Sequence, residues 1–218
     1  MERAQNFQKA EVFFREELAK IGYDGIIGAA SFKKVYDGLS SVQKNRLKGL
    51  CDERFEYLWK NGSIICIGMA YPEHAIDCID VRSSDGTVDR DAWNVYAREY
   101  HRLNGFLNSI SKGLAGLFDG VFVPATVEGI AGESVEEYFE KTVSHRVVAE
   151  EADLGWRGKN ELIVNERFSC AVRFASVIVN LPLTHGRKVR LACGECEACL
   201  NACTLLRNKE TRKLQRKL

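Results

Sequence analysis

Four cysteines near the end of the sequence have a spacing that could hold a metal cluster. Cys193, Cys196, Cys199 and Cys203 stand in the order C-x2-C-x2-C-x3-C within the stretch CGECEACLNAC. Bacterial ferredoxins hold 4Fe–4S clusters by a run with this spacing. Three thiolates separated by two residues can wrap a short loop around one cluster, and the fourth follows one helical step later. The spacing therefore predicts that these four residues bind a 4Fe–4S cluster and transfer electrons.

Other arrangements of these thiols remain open. A structural zinc site more often has two C-x2-C pairs separated by a spacer, and a disulfide-stapled loop is a further alternative. The usual ferredoxin run continues with proline, whereas Thr204 follows Cys203 here. In two-cluster ferredoxins the fourth cysteine ligates the other cluster, and this sequence has no second run. The fourth ligand is therefore Cys203 or an isolated cysteine such as Cys170, unless the C-terminal part is shortened.

The composition is that of a globular protein in a reducing compartment. The chain has 218 residues, of which 45% are apolar and 28% charged, which suffices for one full core and a small appendage. No apolar run approaches the roughly 20 residues that cross a bilayer, and the N-terminus lacks a signal pattern. We therefore expect a cytoplasmic protein with no membrane partner. Its other cysteines are expected to be reduced thiols, namely Cys51, Cys66, Cys78 and Cys170.

The charge is unevenly distributed along the chain. From Arg187 to the end there are nine Lys or Arg against three Glu, although the whole chain has a formal net charge of only +1. A basic tail beside a cluster could contact nucleic acid or an acidic redox partner. A solvated, frayed terminus explains the same charges equally well.

The first half of the chain supplies helices and two apolar strands. Apolar residues at three- and four-residue steps predict a helix over residues 5–21, and YDGIIGAA at 23–30 is typical of a buried strand. Residues 34–59 favour two short helices. The continuous apolar run SIICIGMA at 63–70 predicts a central strand that is buried on both faces. Residues 73–91 have no periodicity, which predicts a long loop.

The second half contains the longest helix. Apolar residues step by threes and fours from Trp93 to Leu117, and we expect its aromatic residues to pack in the core rather than form a cofactor platform. A strand follows at 120–124. A capping box at Ser134 and Glu137 predicts a helix through Lys141, and a second helix is expected over 144–153.

Two paired strands, at 161–165 and 170–180, are predicted before the cysteine run. Strands that alternate with helices predict an α/β (α+β) class, with a mixed sheet flanked by helices and then a short ferredoxin-like cysteine motif. We expect two parts: a reductase-like domain at 1–186, and the cysteine motif with the basic tail at 187–218.

The order of three segments resembles the epoxyqueuosine reductase family and its shorter iron–sulfur paralogues. LGWRGKN at 154–160, a predicted hairpin and NLPL at 180–183 lead directly into the cysteine run, and YAREYHRLN at 96–104 is also similar to that family. The resemblance implies a domain that binds cobalamin, receives electrons from 4Fe–4S clusters and reduces an epoxide on a modified tRNA base. It implies cofactor-binding roles for Gly155, Trp156, Gly158, Lys159 and Asn160. The alternative is a glycine-rich turn with Trp156 as a core residue.

The sequence departs from that family where its proton donor and tRNA contacts are expected. An acidic residue lies in an R-x-x-x-D-x-x-P-like segment of the family, whereas PATVEGIAG at 124–132 offers only Glu128. His145 and Arg146 are candidate catalytic substitutes, because His donates protons near neutral pH and Arg holds phosphate or carboxylate. Alternatively, Ser144, His145 and Arg146 cap and solvate a helix start. With no second cluster run and no helical-repeat tail, we do not expect tRNA as the substrate.

Two functions from different classes follow. The first is an iron–sulfur oxidoreductase that passes electrons from the 4Fe–4S cluster to a bound cofactor, with cobalamin as one candidate, or to a substrate. Its expected partners are an electron-donor protein and a small molecule or modified nucleoside. The second is a non-catalytic electron carrier or metal-binding module on a degenerate reductase scaffold. A pocket for an organic cofactor favours the first function, and apolar surface left by a short C-terminal region predicts a partner or a homodimer.

Overall fold

A four-stranded antiparallel sheet lies between two layers of helices. The computed structural model describes residues 2–125, 142–188 and 192–203. The strands are β1 (Gly25–Ser31), β2 (Ser63–Ala70), β3 (Val121–Val123) and β6 (Val172–Val179), in the spatial order β1-β2-β6-β3. Two further strands, β4 (Trp156–Arg157) and β5 (Ile163–Val164), form a separate small hairpin. The predicted α/β (α+β) class, with a sheet flanked by helices and a C-terminal cysteine motif, is confirmed, but the strand pairs of the described sheet are all antiparallel rather than mixed.

The continuous apolar run predicted as a central strand is β2. All eight of its residues are buried, because helices cover both faces of the sheet and strands pair with both of its edges. Cys66, near the middle of β2, is opposite Gly28 of β1 and Ser176 of β6. Both pairings are antiparallel. An apolar run therefore does not require a parallel sheet when both faces are covered.

The helices divide between the two faces of the sheet. One face is covered by α1 (Glu2–Ile21) and α6 (Arg90–Leu117), which contribute Phe14, Leu107 and other buried residues to one core cluster. The other face is covered by the helices that follow β1 and the helix that begins at His145, which contribute to a second cluster. These are α2 (Phe32–Gly38), α3 (Ser41–Cys51), α4 (Phe55–Asn61) and α7 (His145–Glu151). The segment 34–59, predicted as two helices, thus falls within three.

Helix α6 is the long helix that the periodicity predicts, but its two halves differ. Asp89 caps it, because its Oδ1 accepts a hydrogen bond from the Ala92 backbone N–H at 2.9 Å. Leu103, Leu107 and Leu114 in the C-terminal half are fully buried. The aromatic residues of the N-terminal half are not core residues, since Trp93 is 43% exposed and Tyr100 borders a cleft. The prediction that this aromatic stripe packs in the core is therefore wrong for its first turns.

Two predictions about local structure are also corrected. The segment 73–91 contains a short helix, α5 (Glu73–Asp77), and a single 3-10 turn at Cys78–Asp80 before its loop. The strands predicted at 161–165 and 170–180 do not pair with each other: β5 pairs with β4, whereas β6 pairs with β2 and β3. The last five residues of β6 are buried. β6 can bury them because it lies between β2 and β3 in the centre of the sheet, and this position explains the change of partner.

Some predicted features lie outside the described residues. These are Glu128, the capped helix from Ser134 through Lys141, and the basic tail beyond Cys203. Within the described ranges, no helix is both long and apolar enough to span a membrane.

Candidate functional site: a cysteine loop beside an arginine cleft

The four cysteines lie on one short surface loop. The Cys196 backbone N–H donates to Cys193 O at 2.9 Å, and Gly194, with φ of +52°, allows this turn. A short helix, α8 (Ala198–Ala202), then carries Cys199. All four thiols are free; Cys196 is exposed and the other three are half-buried. Leu200 is the residue of this loop that is buried against the protein.

The donor set of this loop fits an iron–sulfur cluster in its chemistry. Thiolates are the ligands that such clusters take from proteins, and four of them fall within eleven residues of chain. Across the described ranges, no three His, Cys, Asp or Glu side chains already form a metal-binding group. The loop therefore supplies the correct ligands without holding them in a preformed cage.

The segment that leads from β6 to the cysteine loop is fixed to the sheet. The Ser63 hydroxyl donates to Leu181 O at 2.7 Å and accepts from the Leu183 backbone N–H at 3.3 Å. His185 Nε2 lies 3.0 Å from the same hydroxyl oxygen. Burial, and then the nearby Arg3 and Lys34, lower the pKa of His185. The direction in which the chain leaves the sheet is thus set before the cysteines begin.

The two glycines predicted to bind a cofactor lie close to other atoms of the protein's own chain. Gly155 has a φ of +148°, and a Cβ there would lie 2.3 Å from Val164 O of the paired strand. A Cβ at Gly158 would lie 2.7 Å from the Asn160 Oδ1 atom. Gly155 requires glycine because its φ is positive and the clash is with the backbone of the paired strand, whereas a Cβ at Gly158 would meet the ends of two side chains.

The other members of the predicted cofactor set are mostly engaged within the protein. Asn160 Oδ1 accepts from the Leu162 backbone N–H at 3.1 Å. Lys159 Nζ donates to Cys196 O at 2.9 Å, which attaches the hairpin to the cysteine loop. Trp156 Nε1 is buried and has no hydrogen-bond partner in the described part of the chain. Among the described residues, the predicted cofactor set forms a turn that contacts the cysteine loop through Lys159. Within this set, only Trp156 has a buried N–H donor without a described partner, and this donor is available to a bound cofactor.

A cleft of about 390 Å³ opens on the other side of the hairpin. It lies between α6, the start of α7 and the first residues of β6, and it is lined by Tyr100, His145, Arg146, Leu162, Arg173 and Phe174 among others. The structure thus brings the predicted catalytic residues His145 and Arg146 to one cavity. The predicted cofactor residues 155–160 are not among its lining residues.

His145 is buried and hydrogen-bonded at both ring nitrogens. Its Nε2 lies 2.6 Å from Pro124 O, and its Nδ1 lies 2.9 Å from Ser176 Oγ. A carbonyl oxygen only accepts, so Nε2 carries the proton and Nδ1 accepts from the Ser176 hydroxyl. Burial, and to a smaller extent the charge of Arg173, lower the pKa of His145 to about 4, although the hydrogen bond to Pro124 O acts in the opposite direction. The imidazole is therefore neutral at pH 7.

The helix start at 144–146 is neither solvated nor capped by its serine. Ser144 occupies the N-cap position, but its side chain makes no capping hydrogen bond. His145 is only 4% exposed. Arg146 Nη1 instead donates to Glu161 O at 2.7 Å, which connects α7 to the hairpin turn. These residues connect the sheet, the cleft and the hairpin.

Arg173 is the charged residue of the cleft that sequence reasoning missed. Its Nε donates to Asn104 Oδ1 at 2.8 Å, and its guanidinium lies over the Tyr100 ring at 3.8 Å from the centroid. A lone charged residue in the strand VRFASVIV is the signal that could have identified it, because a charge at such a position needs specific partners.

The curated relatives of this chain are epoxyqueuosine reductases. The chain is 30% identical to the Bacillus subtilis enzyme over 146 residues, which is 66% of this chain and 34% of that protein. It is 26% identical to the Leadbetterella byssophila enzyme over 138 residues, which is 61% of this chain and 38% of that protein. No family model matches.

Solved structures of epoxyqueuosine reductases also align with the chain. One, from Streptococcus thermophilus, is 20% identical with a TM-score of 0.47 and covers 88% of this chain and 52% of that one. Another, a crystal structure with a tRNA-Tyr epoxyqueuosine-modified stem loop, is 22% identical with a TM-score of 0.47 and covers 90% and 52%.

The chain is 26–30% identical to these curated relatives over 61–66% of its own length. It spans about a third of the length of these relatives. Over this part of its length, the chain is similar to epoxyqueuosine reductases.

Proposed function

We propose that this chain is an iron–sulfur reductase in which a 4Fe–4S cluster on the cysteine loop supplies electrons to a reaction at the arginine cleft. Cys193, Cys196, Cys199 and Cys203 are the proposed ligands. The proposal keeps the division into a reductase-like part at 1–186 and a cysteine part at 187–218. An electron-donor protein reduces the cluster, and a small molecule or a modified nucleoside is the proposed substrate.

One observation carries this proposal: a single turn, residues 158–162, contacts both sites. On one side, Lys159 of the turn donates to Cys196 O at 2.9 Å. On the other side, Arg146 of the cleft donates to Glu161 O at 2.7 Å, and Leu162 lines the cleft itself. A single residue, Asn160, separates Lys159 from Glu161 along the chain. The arrangement supports electron transfer because donor and acceptor sites share one wall.

The roles of the protein's own residues follow from these contacts. A bound cluster supplies electrons one at a time, and the four thiolates hold it. Lys159 fixes the loop against the hairpin. Arg146 and Arg173 bind and orient the substrate in the cleft, whereas His145, neutral and bonded at both nitrogens, positions the strand β6 and the segment at Pro124.

The electron acceptor is a bound cofactor, with cobalamin as the candidate that the family suggests, or the substrate itself. Trp156, with its buried unpartnered Nε1, is the described residue of the predicted set that is available to such a cofactor. The glycines and Asn160 are engaged within the hairpin. We therefore assign no step to cobalamin.

The alternative is an electron carrier that keeps the reductase scaffold without its reaction. The exposure of Cys196 favours this alternative, because a surface cluster can pass electrons directly to a partner. The cleft with its two arginines favours the reductase, because a carrier has no use for a cavity that could hold a small molecule.

The test is anaerobic purification with iron and sulfide analysis and a visible spectrum before and after cob(II)alamin is added. About four iron and four sulfide per chain support the cluster, and a spectral change on addition supports cobalamin as acceptor. A cluster with no response to cobalamin leaves the substrate as direct acceptor or the carrier alternative. Zinc without sulfide would overturn the redox proposal.

A further inference from the structure

Among the described residues, the arginine cleft has positive charge without a carboxylate in its lining. Its described lining residues include Arg146 and Arg173 but no aspartate or glutamate. His145, which also lines it, is neutral at pH 7 because burial lowers its pKa to about 4. Among the described ion pairs, none involves either arginine. Two guanidinium groups in one cavity without a described counter-charge favour an anionic ligand.

Arg173 is held in a conformation that suits ligand binding. Its Nε donates to Asn104 Oδ1 at 2.8 Å, and its guanidinium carbon lies over the Tyr100 ring at 3.8 Å from the centroid. Both contacts are neutral, so they fix the guanidinium without cancelling its charge. A fixed guanidinium loses less conformational entropy when its terminal N–H groups bind a carboxylate or phosphate.

Arg146, which lies on α7 rather than on β6, is also held by a neutral partner. Its Nη1 donates to the backbone oxygen of Glu161 at 2.7 Å, which is a neutral acceptor. The residue is half-buried, so water screens its charge less than that of a surface arginine. The cleft therefore offers positive charge from two separate elements, α7 and β6.

The other lining residues of the cleft are suited to the apolar part of an organic molecule rather than to an inorganic ion. Tyr100, Leu162, Val172 and Phe174 contribute aromatic and aliphatic surface. The volume of about 390 Å³ is within the range of roughly 300–1,000 Å³ that small-molecule sites occupy. An inorganic ion would leave most of this surface unused.

We propose that this cleft binds an organic anion, a small molecule whose carboxylate or phosphate contacts Arg146 and Arg173 and whose apolar part packs against Tyr100 and Phe174. This inference rests on the proposed function in one respect, namely that the ligand is the substrate of the reductase. Binding itself requires neither a cluster nor a reaction.

Calorimetric titration of the full chain at low ionic strength tests the proposal. The probes are benzoate and phenyl phosphate. Benzamide is the neutral analogue, and inorganic phosphate is the anion that lacks an apolar group. We expect benzoate or phenyl phosphate to bind, and benzamide and inorganic phosphate to bind at least about tenfold more weakly. The preferred anion of the two identifies the charged group of the ligand.

Variants locate the site. Arg146→Gln and Arg173→Gln are each expected to weaken binding of the preferred anion by about tenfold to a hundredfold, since each removes a charged hydrogen bond. Arg173→Lys keeps the charge but loses the planar fork, and an intermediate loss is expected. Arg15→Gln is the matched control, because Arg15 pairs with Glu11 on the surface of α1. Thermal unfolding of each variant shows whether it is folded.

The outcomes separate this inference from the proposed function. Wild-type protein that binds neither anion, or folded Arg146 and Arg173 variants that bind as well as wild type, would overturn the anion site. If anions bind as expected while iron and sulfide are absent, the site stands and the reductase proposal fails.

Discussion

The centre of the sheet and the cysteine loop use their thiol and polar groups in opposite ways. In the centre, Ser176, His145 and Pro124 form a buried chain of hydrogen bonds, and Cys66 lies opposite Ser176 on the paired strand. Burial also raises the pKa of Cys66, so its thiol stays protonated. In the loop, four free thiols are exposed or half-buried. The first region satisfies its polar groups internally, whereas the second leaves strong metal ligands unused by the protein fold.

This difference shows where each region obtains its order. The buried chain is rigid without any ligand, because an unpaired polar group there would cost stability. The cysteine loop is attached by Lys159 and Leu200, and we expect it to gain its final arrangement from the metal. Chemistry at His145 would require breaking the chain, whereas chemistry at the cysteines does not.

The largest expected effect is on metal content and leaves the core unchanged. Cys193→Ser or Cys199→Ser should reduce bound iron from about four per chain to less than about one. The midpoint of denaturant unfolding, measured on the metal-free proteins, should stay near the wild-type value. Cys203→Ser and Cys170→Ser then identify the fourth ligand, since only one of them should lose iron. Full iron in all four variants would contradict the ligand assignment.

The next effect concerns the core and depends on pH. His145 has a pKa of about 4 in the folded chain, below the roughly 6.5 of an unfolded histidine. Between these values the unfolded chain binds more protons, so stability present above pH 6.5 is lost as the pH falls towards 4. The loss attributable to His145 is on the order of 3 kcal/mol.

The measurement is the free energy of unfolding at several pH values between 7 and 4, for wild type and for His145→Asn. The variant lacks a titrating ring, so its free energy of unfolding should change less with pH than that of wild type. The difference is the contribution of His145. Parallel curves for the two proteins would show that His145 titrates normally in the folded state.

Substitutions at two buried serines test whether the hydrogen bonds in the centre of the sheet stabilise the fold. Ser176→Ala leaves His145 Nδ1 without its partner and should cost about 1–3 kcal/mol of unfolding free energy. Ser111→Ala is the matched control, because the Ser111 hydroxyl is buried without a hydrogen-bond partner in the described part of the chain. That change should be neutral or slightly stabilising. Equal costs for the two substitutions would contradict the special role of Ser176.

The smallest effect is expected at the attachment of the loop. Lys159→Met removes the hydrogen bond to Cys196 O and should change global stability by less than about 1 kcal/mol, since the bond is exposed. Amide hydrogen exchange in residues 193–203 should nevertheless become faster, whereas Lys159→Arg should preserve it in part. Lys20→Met, on the surface of α1, is the control. Unchanged exchange in the Lys159 variant would show that Leu200 alone holds the loop.

Sequence patterns predicted those features that depend on one stretch of chain. The strand β2 and the helix α6 are each long and periodic enough to be recognised alone. The cysteine run is also local. The pairing of β5 with β4 rather than with β6 was not predicted, because the short strands leave the choice of partner to distant contacts.

The arginine cleft could not be predicted for the same reason. Its charged residues come from α7 and β6, and the tyrosine that holds Arg173 comes from α6. The residues 144–146 have the pattern of a helix cap, but the partners of His145 are a serine 31 residues later and a carbonyl 21 residues earlier. Only the fold brings these groups together.

The turn at 158–162 has a thermodynamic consequence. It is bonded to the cysteine loop at Lys159 and to the cleft at Arg146, so a ligand that shifts the turn on one side changes the geometry available on the other. Linkage makes such an effect reciprocal: the factor by which an anion in the cleft changes the affinity of the loop for metal equals the factor by which metal changes the affinity for the anion. A cell that controls the supply of either one would thereby regulate the binding of both.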